Sequence, residues 1–231
     1  RDAQAIQFDE PGESIRLERR ARRVRAGEVD FGRTQPAVLD RASGSSRAIA
    51  ALPSPAVSAV IARLMPGADP DAVLVVQGQA QVAVTPGTVQ RVRLVPPDPP
   101  AYPESVAAIR SADWVVLGPG SWFTSVMTHL LVPEVREALE VTRARRLLIL
   151  NLDPGSGETA GFSAERHLET FAELAPNLHL DVVLADPAVV DDPEQLEAAC
   201  ARLGATLFVA PVGRRDRAGE HDPLRFAAAV R

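Results

Sequence analysis

Lysine is absent from this 231-residue sequence, in which all 25 basic residues are arginine. The absence excludes every chemistry that needs a lysine amine, including Schiff-base formation and the phosphate-binding lysine of a Walker-type loop. Cysteine occurs once, at Cys200, which excludes an internal disulfide framework and is typical of a reducing cytoplasm. Because Cys200 shares a helical face with Leu196 and Leu203, we expect a small buried side chain and not a nucleophile.

Long apolar runs are also missing. No segment approaches the roughly 18 apolar residues of a membrane span, and no basic start leads into an apolar stretch with a cleavage site. The net charge of −5 gives no expectation of nucleic-acid binding. No two of the four histidines have the spacing of zinc ligands. We therefore predict a cytoplasmic protein without a membrane, nucleic-acid or metal partner.

Residues 1–64 differ from the rest of the chain in composition. Six arginines and a single acid fall between Arg16 and Arg25. Such a cluster is typical of a solvated helix face or a poorly ordered arm, and docking to an acidic partner is the functional alternative. Near the end of this segment, Ala56–Met65 is predicted as a short helix. Because the chain starts at Arg1, we expect either a removed start or a piece of something longer.

Residues 65–231 are predicted to form one α/β domain. An apolar run, Val73–Val76, is followed by a predicted β-hairpin, with Val82 and Val84 before a turn at Pro86-Gly87 and Val89 to Leu94 after it. From Ser105 onward, short apolar strands alternate with helices, as in a Rossmann-like, mostly parallel sheet with helices on both faces. The side chains predicted to cap helix starts are Ser163, Asp192 and Asp222. Ligands of such sheets bind at the carboxyl ends of strands, which places the candidate site in the loops there.

The first such loop is Gly118-Pro119-Gly120-Ser121, between an apolar strand and a helix-like segment. Glycines let the backbone approach a ligand, and the helix start offers unpaired N–H groups and a partial positive charge. The hydroxyls of Ser121, Thr124 and Ser125 fall near that start, so a phosphate or diphosphate is the predicted partner. An ordinary strand-to-helix turn is the alternative.

The second loop, Asn151–Gly161, is rich in glycine and follows another buried strand. Its Glu158 could accept hydrogen bonds from a ribose or base, Thr159 could bind phosphate, and Phe162 could stack on a base. The candidate contacts in this loop and the next helix are Asn151, Gly157, Glu158, Thr159, Phe162 and His167. A flexible surface loop with a helix cap, and a partly exposed helix histidine at position 167, are the alternatives.

The two loops also carry a family resemblance. The strings GPGSWFTS…LLVP, from Gly118, and GETAGF…H, from Gly157, resemble the YvcK branch of the CofD-like superfamily, the gluconeogenesis factors. The resemblance covers roughly residues 65–230 and implies a Rossmann-like fold. It further implies binding of a UDP-sugar, typically UDP-N-acetylglucosamine, without a required cofactor. The implied role is regulatory and non-catalytic, linking carbon metabolism to cell-wall synthesis and cell shape.

The sequence departs from the family pattern in three places. The usual opening glycine-rich loop is not found in residues 1–64, Ala160 stands where an acid is usual, and Phe162 stands where tyrosine is common. One alternative is the 2-phospho-L-lactate transferase activity of the other branch, although those members resemble APSNP at the first turn. Its candidate metal-binding acids would be Asp153, Glu158 and Asp186. A remnant that binds nothing is the other alternative, and a homodimer is the candidate assembly.

Overall fold

The computed structural model describes residues 37–39, 46–48, 59–65, 74–77, 82, 88–155 and 157–230. The strands are β1 (Ala37–Leu39), β2 (Ser46–Ala48), β3 (Ala59–Met65), β4 (Leu74–Gln77), β5 (Thr88–Val95), β6 (Trp114–Leu117), β7 (Arg145–Ile149), β8 (Val182–Ala185) and β9 (Thr206–Val209). The helices are α1 (Pro103–Ser111), α2 (Met127–Leu130), α3 (Pro133–Val141), α4 (Ala164–Leu174), α5 (Pro193–Arg202) and α6 (Pro223–Ala229). A wide π-type turn, Trp122–Val126, leads into α2, and the short 3₁₀ turns Gly157–Thr159 and Pro187–Val189 follow β7 and β8.

Six strands form the main sheet in the order β2-β1-β6-β7-β8-β9. The pairs from β6 through β9 are parallel, whereas β1 is antiparallel to both β2 and β6. This arrangement confirms the predicted α/β class with a mostly parallel sheet. The strands β1 and β2 and most of β3 belong to the predicted segment 1–64; the arginine cluster of that segment lies outside the described residues.

Three strands form a separate antiparallel sheet in the order β4-β3-β5. The helix predicted over Ala56–Met65 is wrong, because Ala59–Met65 is the central strand of this sheet. All seven residues of β3 have partners on β5, and such ladder pairing overrides a weak local preference for helix. Of the predicted hairpin, the second strand is present as β5 but pairs with β3, and Val82 is helical where the first strand is predicted. The apolar run before it is β4, which also pairs with β3, and the Pro86-Gly87 turn lies outside the described residues.

Helix starts follow the predicted capping pattern. The side chain of Ser163 accepts a hydrogen bond from the Arg166 N–H at α4, and Asp192 accepts one from Gln195 at α5. Asp222 accepts from two N–H groups at α6. These side chains satisfy donors that a helix start leaves without partners, so each stabilises the helix that it precedes. The predicted burial of Cys200, on α5, is also confirmed.

Both faces of the main sheet are covered. Alternate side chains of a strand point to opposite faces, and Val115 and Leu117 of β6 contribute to the large core beneath α1 to α5. Val116 points the other way, into a smaller cluster that Phe226 and Ala229 of α6 cover. Within the described ranges, no helix has the length and apolar character needed to cross a bilayer.

Candidate functional site

The two candidate loops leave the main sheet side by side. Strands β6 and β7 are parallel neighbours, with Leu117 opposite Leu148, so the chain segments that follow them emerge at the same edge. Asn151 joins them directly. Its Oδ1 accepts a hydrogen bond from the Gly120 N–H at 2.8 Å, and its Nδ2 donates to the Gly120 carbonyl oxygen at 2.9 Å. Asn151 therefore holds the glycine turn of the first loop through its backbone.

Replacing Asn151 with aspartate tests this pair of hydrogen bonds between Asn151 and Gly120. The carboxylate keeps an acceptor for the Gly120 N–H. Its second oxygen, however, replaces the Asn151 NH₂ group that donates to the Gly120 carbonyl oxygen, so two oxygens would face each other. We expect Asn151→Asp to lower the free energy of unfolding by about 1–3 kcal/mol at neutral pH, measured by chemical denaturation. The same change at exposed Asn177 is the control. Equal effects of the two substitutions would contradict the role of Asn151 in holding Gly120.

Glu158, in the second loop, is hydrogen-bonded to the start of the helical segment Trp122–Val126 that follows the first loop. Its Oε1 accepts hydrogen bonds from the N–H groups of Phe123, at 2.6 Å, and Thr124, at 3.3 Å. Its Oε2 accepts from the Thr124 hydroxyl at 3.1 Å. The N–H groups and hydroxyl predicted to meet a phosphate at this helix start are therefore engaged by a carboxylate of the chain itself.

The Glu158 side chain is almost fully buried, with 4% of its surface exposed. Burial raises the pKa of its carboxyl group above the ordinary value, and the hydrogen bonds from Phe123 and Thr124 offset part of that rise. A buried carboxylate is costly unless it is hydrogen-bonded, which the three donors achieve. Thr159 beside it is buried as well. Neither side chain is exposed to a ligand in this conformation.

The exposed part of the first loop lies just before the helical segment. The side chain of Ser121 is exposed, and Gly118, Pro119 and Gly120 are partly exposed. The N–H group of Ser121 donates no hydrogen bond to any residue that the structure describes. Because Ser121 is exposed, this N–H group is accessible to a ligand. Ser125 is partly buried, and its N–H donates to the Ser121 carbonyl at 2.8 Å, which closes the turn.

Glycines at both ends of the Glu158 turn set its backbone conformation. Gly157 has a φ of +61° and Gly161 a φ of +80°, a region that favours glycine. A Cβ atom at either position would meet nothing within 4 Å. The requirement for glycine is therefore conformational and not a matter of space. Both glycines are exposed, whereas Glu158 and Thr159 between them point inward.

His167 lies in an aromatic cluster behind the two loops. Its ring contacts Trp122 edge-on, with centroids 4.7 Å apart, and Phe162 with centroids 5.4 Å apart. The side chain is fully buried, so it is neither a partly exposed helix residue nor a surface ligand contact in this conformation. Its Nδ1 donates to the Ser163 carbonyl at 2.8 Å, and burial lowers its pKa, which favours the neutral ring.

Phe162 joins this cluster to the surface. Its ring contacts Phe123 edge-on at 5.8 Å, and the guanidinium of Arg166 lies over the ring at 5.8 Å. The ring is only partly buried. Trp122 anchors the inner side through a hydrogen bond from its Nε1 to the Thr170 hydroxyl at 2.8 Å. The apolar pattern of the first loop indicates that Trp122 is buried, but no sequence signal identifies Thr170 as its partner.

Comparison with known proteins decides the family. The family profile described as 2-phospho-L-lactate transferase CofD matches residues 46–204. The chain belongs to the CofD family. Among curated proteins, this CofD-family chain is 48% identical over 167 residues to the "Putative gluconeogenesis factor" of Mycobacterium tuberculosis, covering 71% of this chain and 48% of that protein. It is 36% identical over 116 residues to the "Gluconeogenesis factor" of Halalkalibacterium halodurans, covering 50% and 34%.

Solved structures agree with this membership. A crystal structure of a UPF0052 family member from Bacillus halodurans superposes with a TM-score of 0.63 at 26% identity, covering 74% of this chain and 58% of that one. A second crystal structure from the same organism gives a TM-score of 0.59 at 25% identity, covering 76% and 60%. The chain spans about half the length of the curated mycobacterial relative that it matches. The suspected family and the Rossmann-like fold are thus confirmed.

The acids considered for a metal-dependent transferase do not converge in this CofD-family chain. Glu158 caps the first loop, and Asp186 accepts hydrogen bonds from the N–H groups of Ala188, Val212 and Gly213 at 2.8–3.0 Å. Asp153 is exposed. Among the described residues, no group of three His, Cys, Asp or Glu side chains could hold a metal ion. Glu158 and Asp186 therefore act as acceptors for backbone N–H groups, and the Asp-Pro step at 186–187 is the sequence signal for the second of them.

Proposed function

We propose that this chain is a non-catalytic regulatory protein of the cytoplasm that binds a nucleotide sugar, UDP-N-acetylglucosamine, at the edge where β6 and β7 end. Its role would be to link carbon metabolism and gluconeogenic growth to cell-wall synthesis and cell shape. The observation that carries the binding proposal is the pairing of the two loops. Asn151 and Glu158 hold the first loop from the second, while the N–H group of Ser121 has no hydrogen-bond partner among the described residues and lies at the exposed end of the loop.

The proposed contacts divide into two groups. The accessible ones offer backbone and hydroxyl groups to the diphosphate and sugar: Gly118, Pro119, Gly120, Ser121, Ser125 and Gly157. The others form the wall behind them: Thr124, Asn151, Glu158, Thr159, Phe162 and His167. Backbone N–H groups at a glycine turn suit an anionic ligand, because they donate without a bulky side chain between them and the phosphate. The relatives' names, which contain the words gluconeogenesis factor, support the proposed link to gluconeogenic growth.

A charge placed at Ser121 tests the proposed position of the diphosphate. We expect the wild-type chain to bind UDP-N-acetylglucosamine in titration calorimetry and Ser121→Asp to bind at least tenfold more weakly, because a carboxylate there repels the phosphates. Ser111→Asp introduces the same charge at an exposed residue on α1 and should bind as the wild type does. Absence of heat and of a thermal shift for the wild type at millimolar ligand would overturn the proposal.

A further inference from the structure

The start of the helical segment in the first loop lacks a local cap. Ser121 occupies the position before Trp122–Val126, where serine commonly accepts a hydrogen bond from the helix, yet its side chain accepts none. A helix start leaves several N–H groups without intrahelical partners, and buried ones need an acceptor from elsewhere. The side chains of Trp122, Phe123 and Thr124 are buried. Water is therefore poorly placed to supply that acceptor.

Glu158 supplies the missing acceptor. It lies 35 residues after Phe123 and 34 residues after Thr124 in the sequence, and accepts a hydrogen bond from the N–H group of each. Both of its carboxylate oxygens are engaged: one with the two N–H groups, the other with the Thr124 hydroxyl. Hydrogen bonds to an ionised acceptor are stronger than neutral ones, and an anion at a helix start also meets the positive end of the helix dipole. One side chain thus replaces the missing cap and joins the second loop to the first.

We infer that Glu158 is a positioning residue: its carboxylate is an internal anion that fixes the conformation of the first loop from Gly118 to Val126. The inference rests on the proposed function in one respect, since this is the loop that we propose for the ligand. In the proposed complex Glu158 stays in place, and the ligand phosphates meet the turn before it. A second arrangement, in which a phosphate displaces the carboxylate, predicts the opposite effect of removing Glu158.

Hydrogen exchange tests the positioning role without any ligand. In the full chain, we expect amide exchange over residues 118–126 to accelerate at least tenfold in Glu158→Ala, with Glu158→Gln between Glu158→Ala and the wild type. Exchange over β8 should change much less. Glu137→Ala is the matched control, because that side chain is 65% exposed and lies 4.0 Å from its partner Arg110. Wild-type exchange of the first loop in Glu158→Ala would overturn the inference.

A small carboxylate gives a second readout. Glu158→Ala leaves a gap in front of three donors, so acetate should slow exchange of the first loop, whereas chloride at the same ionic strength should not. Rescue by acetate alone supports an internal anion, and equal effects of both salts would overturn it. If Glu158→Ala does not fold, Glu158→Gln decides: acceleration confined to the first loop supports the role, and uniform acceleration along the chain overturns it.

Ligand titration separates this inference from the proposed function. No binding of UDP-N-acetylglucosamine by the wild type would overturn the proposed function, while the exchange experiment would still decide the role of Glu158. With a binding wild type, we expect at least tenfold weaker binding in Glu158→Ala. Unchanged binding in that variant would overturn the positioning role, and tighter binding would show that the carboxylate competes with the ligand.

Discussion

Trp122→Ala is expected to lower the free energy of unfolding by about 3–5 kcal/mol, which is the usual cost of deleting a buried large aromatic side chain. Trp122 is 1% exposed, and its ring lies between the first loop and α4. The substitution removes the contacts with His167 and Phe171 and leaves the Thr170 hydroxyl without its donor. Chemical denaturation followed by circular dichroism measures the loss.

Two further variants separate packing from hydrogen bonding at this position. Trp122→Phe keeps an aromatic ring but removes the indole N–H, so we expect a loss of about 1–3 kcal/mol. Trp114→Ala is the matched control, because Trp114 is only partly buried beneath the guanidinium of Arg145. A loss in Trp122→Ala no larger than in Trp114→Ala would contradict a packing role for Trp122 between the first loop and α4.

Asp186→Asn is expected to lower the free energy of unfolding by about 2–3 kcal/mol at neutral pH, although it hardly changes the shape of the side chain. The Oδ2 atom accepts from the N–H groups of Val212 and Gly213, each at 2.8 Å, and Oδ1 accepts from Ala188. An amide sets an NH₂ group against at least one of these donors. The substitution therefore loosens the segment after β9 from the end of β8.

The effect of Asp186→Asn should depend on pH. Burial opposes ionisation of Asp186, but hydrogen bonds from Ala188, Gly213 and Val212, together with the nearby His221, hold its pKa below the ordinary value. An acid whose pKa is lower in the folded state stabilises the fold above its unfolded pKa of about 4, and this stabilisation disappears as pH falls through the folded value. The difference in unfolding free energy between wild type and Asp186→Asn should therefore shrink in acid.

A control at a neighbouring acid checks that pH dependence. Asp191→Asn changes an exposed carboxylate five positions along the chain and should alter the unfolding free energy little at any pH. Denaturation curves for the three proteins at pH 7, 4, 3 and 2 are enough, because the stabilisation disappears below the unfolded pKa of about 4. A constant difference between wild type and Asp186→Asn over this range would contradict stabilisation by the ionised carboxylate.

Local patterns were sufficient for most of the α/β unit. The alternation of short apolar runs with amphipathic segments predicts β6 to β9 and the helices between them. Ser163, Asp192 and Asp222 cap helices as predicted, because a cap depends on a side chain and N–H groups only two or three residues away. Both partners of such a contact lie within a few positions of each other in the sequence, so the local pattern predicts it.

The strand β3 shows where local patterns fail. Its sequence is compatible with a short amphipathic helix, but antiparallel pairing with β4 and β5 makes it the centre of a sheet. In the sheet the two partner strands flank β3, but in the sequence both follow it, with Leu64 paired to Leu74 and Ala59 paired to Val95. The pattern of residues within β3 alone does not reveal these partners. The candidate site shows the same limit: the bonds from Asn151 to Gly120 and from Glu158 to Phe123 span 31 and 35 residues.

The sequence by itself determined the family, the order of strands and helices from Ser105 onward, and the two loops that meet at the edge of the sheet. Only the tertiary structure decided which residues of those loops are exposed and which hold the loops in place. Glu158, predicted to face a ribose or base, caps the first loop, and His167 lies in an aromatic core. The physical reason is that a helix start needs an acceptor, and only the folded chain determines which anion supplies it.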